Sequence, residues 1–379
     1  MNAFLSGPFN RLDRRVFEAM LPYFTERFGN AASLNHVFGW AAQDACDRAR
    51  EQVAVSIGAH ATREIVFTGS GAEAALLAVK GVADAYASRG RHIVSAAPSE
   101  SPADMACRHL ENDGYRISRL GLDGCGRLDP DRVRAALQDK TVLITLPLAC
   151  DELGVEQPIA EISSIARATG TLLHVDGGAL LDRISVDVRQ QAIDLLSMDA
   201  TALCGPSGTG ALYIRGRAPR VTLSSLIDGG GQERGFRSGT LNVPGIVGMG
   251  AAFAIVLAER ETEMDRLRRL TAILTNGVAA DAVTLVTEKD RCPGVAALAF
   301  SGMDHRLLVE RMTQMENGEP VSAHVAPLSQ QTSQACGQTS GITVVFSRYA
   351  VETDAVRLSD VLRATTQTLR AGTAVATRN

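Results

Sequence analysis

The sequence predicts an α/β protein in which helices cover both faces of a mostly parallel sheet. Short apolar runs have the length of buried strands, at residues 65–67, 93–96, 142–146 and 172–175. Helical patterns lie between these runs, at residues 73–87, 102–112 and 158–169. The last pattern has Pro158 near its start and Gly170 just past its end, the usual arrangement in helices. Because parallel strands need crossover connections, alternating strands and helices favour a parallel sheet.

A long apolar helical pattern at residues 244–270 marks the passage to a second, smaller domain. The chain beyond it mixes strand patterns with a final helix, at residues 295–300, 342–346 and 355–369. We therefore predict a large α/β domain of residues 14–257. Residues 1–13 and 258–379 are predicted to form a small α+β domain.

Composition and charge exclude several classes of function. The chain has 379 residues, a net charge of −4 and a pI near 6.0, which argues against a binder of nucleic acid or anionic membranes. No apolar run reaches the roughly 18 to 20 residues of a membrane helix, and the N-terminus lacks the pattern of a secretory signal. The seven cysteines are scattered and contain no CxxC pair, which is typical of a reducing compartment. We therefore expect a cytoplasmic protein.

A series of motifs, in one order along the chain, resembles those of the NifS/IscS-type cysteine desulfurases. The matching segments are residues 17–34, 64–73, 126–129, 174–176, 195–215 and 229–242. This family is class-V aminotransferase-like and has the pyridoxal phosphate (PLP) fold type I. The resemblance therefore implies a fold-type I large domain, a smaller C-terminal domain and a homodimer. It also implies a cofactor site at the carboxyl ends of the parallel strands.

One of these segments, residues 195–215, resembles the stretch that carries the cofactor lysine, but its lysine is missing. The family writes Ser-x-His-Lys before a Gly-Pro-x-Gly turn, and here the His-Lys pair is Thr201-Ala202. An amine must form the Schiff base to PLP, and the methyl group of Ala202 cannot do so. The chain has three lysines, each in a sequence context typical of the solvated surface, at Lys80, Lys140 and Lys289. The sequence therefore predicts no internal Schiff base.

The resemblance also implies that other contacts to PLP are lost. Asp176, which would pair with the ring nitrogen, is retained. The phosphate cup, the turn that ends the matching segment 64–73 and would bind the PLP phosphate, keeps Gly71, but Ala72 replaces a phosphate-binding Thr. Ala179 replaces the Gln that would contact the ring hydroxyl, and Glu100 or Ser101 stands where a His would stack on the ring. Cys150 replaces an Asn, and residues 6–11 replace the motif of the family's opening strand. Since each lost contact with a charged group costs about 1.5–3 kcal/mol, we expect no bound PLP.

The residues that the family uses for desulfuration are replaced as well. Pro327 stands where the family has the cysteine that attacks the substrate sulfur, and Thr343 stands where an arginine holds the substrate carboxylate. Cys336 follows in a polar segment, residues 329–341, that we expect to form an exposed loop. This thiol is either a substitute nucleophile or an incidental surface cysteine.

Two features leave alternatives open. The loop at residues 229–242 keeps the family motif, in which Thr240 would help to bind the partner subunit's phosphate. It is retained either for packing of a homodimer or for binding an anion in the old phosphate cup.

Cys150 and Cys204 replace residues near the cofactor cavity. They form either part of a metal or Fe–S site or two small side chains that fill an emptied cavity.

Together, these replacements predict a desulfurase-like pseudoenzyme. We expect a non-catalytic homodimer, without cofactor or resident metal, that has a binding or scaffold role in sulfur or Fe–S cluster metabolism. Its partner would be a sulfur-transfer or Fe–S assembly protein. The alternative is an active desulfurase or class-V aminotransferase-like enzyme, which uses PLP non-covalently or carries out new chemistry in the remodelled pocket.

Overall fold

The structure is a computed structural model that describes residues 11–98, 100–178, 180–217, 219–286, 291–315, 323–329, 332, 336–337 and 341–376. Several predictions concern residues outside these ranges, namely those on residues 6–10, Ala179, Lys289 and most of the loop at 329–341. They stay predictions.

The large domain is built on nine strands. In chain order they are β1 (Ile65–Thr68), β2 (His92–Ser95), β3 (Arg116–Arg119), β4 (Thr141–Pro147), β5 (Ala149–Cys150), β6 (Val155–Glu156), β7 (Leu172–Asp176), β8 (Leu195–Asp199) and β9 (Gly210–Ile214). Seven of them form one sheet in the order β1-β9-β8-β7-β4-β2-β3, while β5 and β6 form a separate hairpin. In this sheet β9 runs antiparallel to both of its neighbours, β1 and β8, and the other four neighbouring pairs are parallel. The predicted mostly parallel sheet is confirmed.

The three helices predicted between the strands are present with ends shifted by at most two residues, and the helix predicted at residues 244–270 extends to Val278. Within the described residues, eight helices precede or cover this sheet. They are α1 (Arg14–Met20), α2 (Pro22–Thr25), α3 (Val37–Ser56), α4 (Gly71–Ala85), α5 (Pro102–Asn112), α6 (Pro130–Ala136), α7 (Ile159–Thr169) and α8 (Val243–Val278). The helix predicted from residue 158 begins one residue later, as α7, and Gly170 ends it with a left-handed φ of 65°. Glycine adopts this conformation at little cost, which explains the clean helix end.

The C-terminal part of the chain forms a second sheet with its own core. Its elements are β10 (Val283–Thr284), β11 (Val295–Ala299), α9 (His305–Met315), β12 (Ala323–Pro327), β13 (Ile342–Phe346) and α10 (Glu352–Ala376). The four strands are all antiparallel, in the order β10-β11-β13-β12. Large buried side chains such as Phe300 and Phe346 fill the space between this sheet and the helices. The boundary predicted near residue 258 stays a prediction.

Helix α8 joins the two parts without a break over its 36 residues. Its first half packs into the core of the large sheet through Met249 and Phe253, and its second half packs into the C-terminal core through Leu270 and Leu274. By length and composition alone this helix could cross a membrane, which the sequence did not lead us to expect. Core helices of globular proteins pass the same test, and half of its most apolar window is buried inside the protein.

A buried ion pair fixes the loop at residues 229–242 against the large sheet. Glu233, which is 6% exposed, accepts hydrogen bonds at 2.8 and 2.7 Å from the Arg50 guanidinium of α3. It accepts a third, at 2.8 Å, from the Phe67 amide of β1. Glu233 and Arg234 both have left-handed φ values, 46° and 59°, which cost non-glycine residues about 1–3 kcal/mol each. The buried pair holds the loop in this strained conformation.

We expect Glu233→Gln to lower the free energy of unfolding by about 3 kcal/mol, because Arg50 would stay buried without a counter-charge. Urea unfolding followed by circular dichroism measures the change. Asp265→Asn is the matched control, since its pair with Arg268 is exposed and should be worth less than about 1 kcal/mol. Equal, small losses in the two variants would contradict the prediction.

Candidate functional site

The turn between β8 and β9 contains the position where the family has its cofactor lysine. β8 ends at Asp199, and a 3-10 turn, Ala200–Leu203, follows because the Asp199 carboxylate accepts the Thr201 amide hydrogen. Ala202 lies within this turn and is 7% exposed. Its methyl group is not a nucleophile, so this turn cannot supply a Schiff base.

The two described lysines lie elsewhere. Lys80 is nine residues beyond Gly71 in α4, which places it about 14 Å along the axis from the start of the helix. Lys140 is exposed in the turn that precedes β4. Within the described residues, the ends of β7 and β8 therefore have no lysine amine beside them.

A carboxylate of the chain itself lies at the N-terminus of α4, which corresponds to the predicted phosphate cup. The Gly71 amide donates a hydrogen bond of 2.7 Å to Asp199 Oδ2. Asp199 Oδ1 accepts two more, at 2.9 and 2.6 Å, from the amide and the hydroxyl of Thr201. A Cβ at position 71 would lie 2.7 Å from the Asp199 Cβ, so glycine is required for this approach. The carboxylate takes the place where helix N-termini bind anions.

A second internal carboxylate lies in the same cup. Glu73 accepts a hydrogen bond of 2.8 Å from the Gly69 amide and another of 2.8 Å from Arg237 Nε. The Ser70 hydroxyl caps α4 by accepting the Glu73 amide hydrogen. Ala72 is exposed and contributes no hydroxyl. The backbone of the predicted cup is thus present, but its amides at positions 69 and 71 and the nearby arginine already bind acids of the chain.

Asp176, the predicted partner of the ring nitrogen, lies at the end of β7. Its carboxylate accepts hydrogen bonds from the Ser197 hydroxyl at 2.8 Å and from the Gly178 amide at 3.1 Å. Burial raises the pKa of this carboxyl group, and the neighbouring Asp199 raises that pKa further. Pairing with a protonated ring nitrogen requires an ionised carboxylate, so the second acid works against that role.

A buried histidine lies behind Asp176. His174 Nδ1 is 2.8 Å from the Thr145 hydroxyl oxygen, and His174 Nε2 is 3.1 Å from the Ser197 hydroxyl oxygen. Because Ser197 donates to Asp176, Nε2 carries the proton and Nδ1 accepts from Thr145. Burial lowers the pKa of His174 to about 3, so the imidazole is neutral near pH 7. These residues fix the position of the Asp176 carboxylate.

The other positions at which the resemblance places family contacts to the cofactor lie at turns near the surface. Glu100 is exposed and has a left-handed φ of 64°. Ser101 caps α5 by accepting the Asp104 amide hydrogen at 3.3 Å. Thr240, in the retained loop, is exposed. None of these three side chains is an imidazole, so the structure offers no stacking ring at the predicted position.

The segment that resembles the loop of the nucleophilic cysteine forms a strand instead. Pro327 ends β12 and lies opposite Ile342 of β13. Thr343 is buried in β13, with Ala297 and Ala326 opposite it on the two neighbouring strands. This end of the strand therefore presents a proline ring and no thiol.

Cys336, the possible substitute nucleophile, is half-buried against a small apolar cluster that includes Cys150. Burial raises the pKa of its thiol, and the nearby groups of Cys125, Asp123 and Glu152 raise that pKa further. Since the thiolate is the nucleophile, these surroundings work against a catalytic role for Cys336.

Cys150 and Cys204 lie in different surroundings. Cys150 is the last residue of β5 and packs with Leu153 and Val155 of the β5–β6 hairpin, while the carbonyl oxygen of Cys204 accepts the Asp13 amide hydrogen at 2.9 Å. Burial raises the pKa of each thiol to about 12, which keeps both protonated at neutral pH. Among the residues that the structure describes, no three His, Cys, Asp or Glu side chains are grouped as a metal site. The two cysteines have the surroundings of small hydrophobic side chains.

The residues at this site do not fit PLP. Position 202 has no amine, and the first amide of α4, that of Gly71, is hydrogen-bonded to Asp199. The space in front of that amide is filled by the Asp199 side chain. The sequence alone did not predict this contact of Asp199. The sequence does contain a clue to it, because Asp199 stands where the family's Ser-x-His-Lys motif has its serine, so an acid replaces a neutral residue there.

Comparisons with known proteins agree with the fold and the motifs. The aminotransferase class-V family profile matches residues 10–357. Cysteine desulfurase IscS of Anaeromyxobacter sp. (strain Fw109-5) is 44% identical over 301 residues, which cover 79% of this chain and 74% of that protein. The IscS of Neisseria meningitidis serogroup C (strain 053442) is 35% identical over 95% of this chain and 90% of its own length.

Among solved structures, a NifS-like protein superposes with a TM-score of 0.86 at 26% identity, covering 98% of this chain and 100% of its own. The match includes both the large domain and the C-terminal sheet, because almost the whole of each chain is aligned. By sequence and by fold, this chain belongs to the class-V aminotransferase family, among the relatives of the IscS/NifS cysteine desulfurases.

Proposed function

We propose that this chain is a non-catalytic member of the cysteine desulfurase family, with a binding or scaffold role in sulfur or Fe–S cluster metabolism. One observation carries the proposal: a buried alanine, Ala202, stands at the lysine position in a turn held by Asp199. The relatives are cysteine desulfurases, which suggests a sulfur-transfer or Fe–S assembly protein as the partner. Seven free cysteines suit a reducing cytoplasm, where we place the protein.

A homodimer is part of this proposal. Large apolar side chains are exposed on and around α1 to α3, at Phe17, Leu21, Phe24, Phe28, Leu34, Val37, Phe38 and Trp40. The rings of Phe28 and Phe38 stack with centroids 5.2 Å apart, so part of this apolar surface is preformed. Concentrations of exposed apolar side chains of this kind mark protein interfaces, and a second copy of the chain is the occupant that we propose.

We expect the purified protein to be colourless and to release no sulfide from cysteine, even with added PLP. The physical reason is the absence of an amine at Ala202 and of a thiol at Pro327. An absorption spectrum and a sulfide assay test the two parts. Borohydride reduction followed by peptide mass spectrometry would detect an adduct on any lysine.

Such an adduct, or sulfide release above a protein-free control, would instead support the alternative of an active enzyme. Visible absorbance that dialysis removes, together with turnover, would identify an enzyme that uses PLP non-covalently.

We expect Ala202→Lys alone to restore no desulfurase activity. A lysine in the turn meets the aldehyde only if PLP first docks, and the Gly71 amide is already bound to Asp199. Position 327 would still lack a thiol and position 343 a guanidinium, and residues that act as a unit recover little when one is repaired. The sulfide assay measures the result. Turnover well above the wild-type background would show that the remaining site is intact.

We expect light scattering to show a dimer at micromolar concentration and Phe24→Arg to shift it toward the monomer. Phe24 is 57% exposed, and a charge in a buried interface is destabilising. Val356→Arg is the matched control, because Val356 is 49% exposed on α10, a helix that packs on α8 and α9. Circular dichroism checks that both variants fold. A monomeric wild-type protein would contradict the proposed assembly.

A further inference from the structure

We infer that Asp199 is a built-in anion, which satisfies the N-terminus of α4 in place of a bound phosphate and closes the cup to anions from solution. This inference rests on the proposed function and deepens it, because it states how the site is satisfied without a cofactor. It also argues against the alternative that the loop at residues 229–242 is retained to bind an anion in the cup, since a cup that holds its own carboxylate is not a free anion site.

The hydrogen bonds of Asp199 reach two separate elements. Its Oδ2 accepts the Gly71 amide hydrogen at the start of α4, and its Oδ1 accepts from the amide and the hydroxyl of Thr201 after β8. One carboxylate therefore bridges a helix and a turn that are 128 residues apart in the sequence. Both of its oxygen atoms have partners, as both would in a bound oxyanion.

The charge of Asp199 is favourable in this place. Helix α4 has 15 residues, and its N-terminal amides carry the positive end of the helix dipole. Because Asp199 is covalently attached at the end of β8, it binds this amide without the entropy loss that a free ligand pays. A solution anion would have to displace it and leave a carboxylate beside a second anion.

The backbone approaches Asp199 closely on two sides. A Cβ at Gly71 would lie 2.7 Å from the Asp199 Cβ, and a Cβ at Gly210 would lie 2.2 Å from the Ser70 carbonyl carbon. Gly210 is the register partner of Asp199 across β8 and β9. The backbone is therefore tightly packed around this side chain. Shortening the side chain would leave the amide of α4 facing an empty space about the size of a carboxylate.

The arginine beside the cup gives independent support. Arg237 pairs with Glu73 through hydrogen bonds of 2.8 and 3.4 Å, and both side chains are 22% exposed. Glu73 also accepts the Gly69 amide hydrogen. A phosphate site needs unpaired donors, whereas here an amide on either side of Ser70 and the guanidinium each bind an internal acid. The cup is closed by two acids of the chain, with Asp199 at the helix end.

The test compares the wild-type protein with Asp199→Ser, using inorganic phosphate as the probe. Serine keeps a side chain that can cap the turn but removes the carboxylate from the Gly71 amide. Isothermal titration calorimetry and thermal unfolding are measured in phosphate against chloride at equal ionic strength. We expect Asp199→Ser to unfold at a lower temperature than the wild type and to bind phosphate at least about tenfold more tightly.

Two further variants make the outcome decisive. Asp129→Ser changes the acid that caps α6 by accepting the Asp131 amide hydrogen, so it should keep the wild-type phosphate response. Asp199→Ala removes the carboxylate together with both of its acceptor oxygens, and so leaves the Gly71 amide without a side-chain partner. It is used if Asp199→Ser fails to fold, and it too should bind phosphate more tightly than the wild type does.

The inference is overturned if neither Asp199 variant binds phosphate more tightly than the wild type, or if the wild-type protein binds phosphate as tightly as the variants do. These results are separable from a failure of the proposed function, because the assay contains neither PLP nor cysteine. Sulfide release by the wild-type protein would refute the non-catalytic role, whatever the phosphate titration shows.

Discussion

The carboxylate of Asp199 determines what the carboxyl end of the central sheet can do. In an open α/β sheet, the strand ends and helix N-termini form the natural place for a charged ligand. Here β8 delivers an acid to that place, and the Gly71 amide of α4 binds it. The same acid raises the pKa of Asp176, so one side chain affects both the start of α4 and the end of β7.

The retained loop at residues 229–242 has an explanation that involves no ligand. Glu233 joins the loop to Arg50 of α3 and to the Phe67 amide of β1, and Arg237 joins it to Glu73 of α4. Each contact connects the loop to a different element of the large domain. Because Glu233 is nearly fully buried, its replacement leaves an unpaired arginine inside the protein. A motif that a family uses for cofactor binding is thus also required for packing.

The sequence is a good guide to the elements of this fold and a poor guide to the contacts between them. Apolar runs located β1, β2, β4 and β7, and motif order located Ala202 and Pro327, because these signals are local. The bond from Gly71 to Asp199 spans 128 residues, and the pair of Arg50 with Glu233 spans 183. Hydrophobic periodicity carries no information about such polar contacts. Helix α8 is predicted to end at residue 270 because polar residues interrupt the apolar pattern on which the prediction rests. The helical backbone itself continues to Val278.

The continuity of α8 has a consequence for how the protein unfolds. At about 1.5 Å per residue, its 36 residues extend for about 54 Å, and they contribute side chains to the cores of both sheets. Melting the C-terminal core would remove the packing that holds the second half of the helix, and fraying would then spread toward Phe253 in the large core. The two halves of the molecule therefore share one cooperative unit of structure, although each has its own sheet.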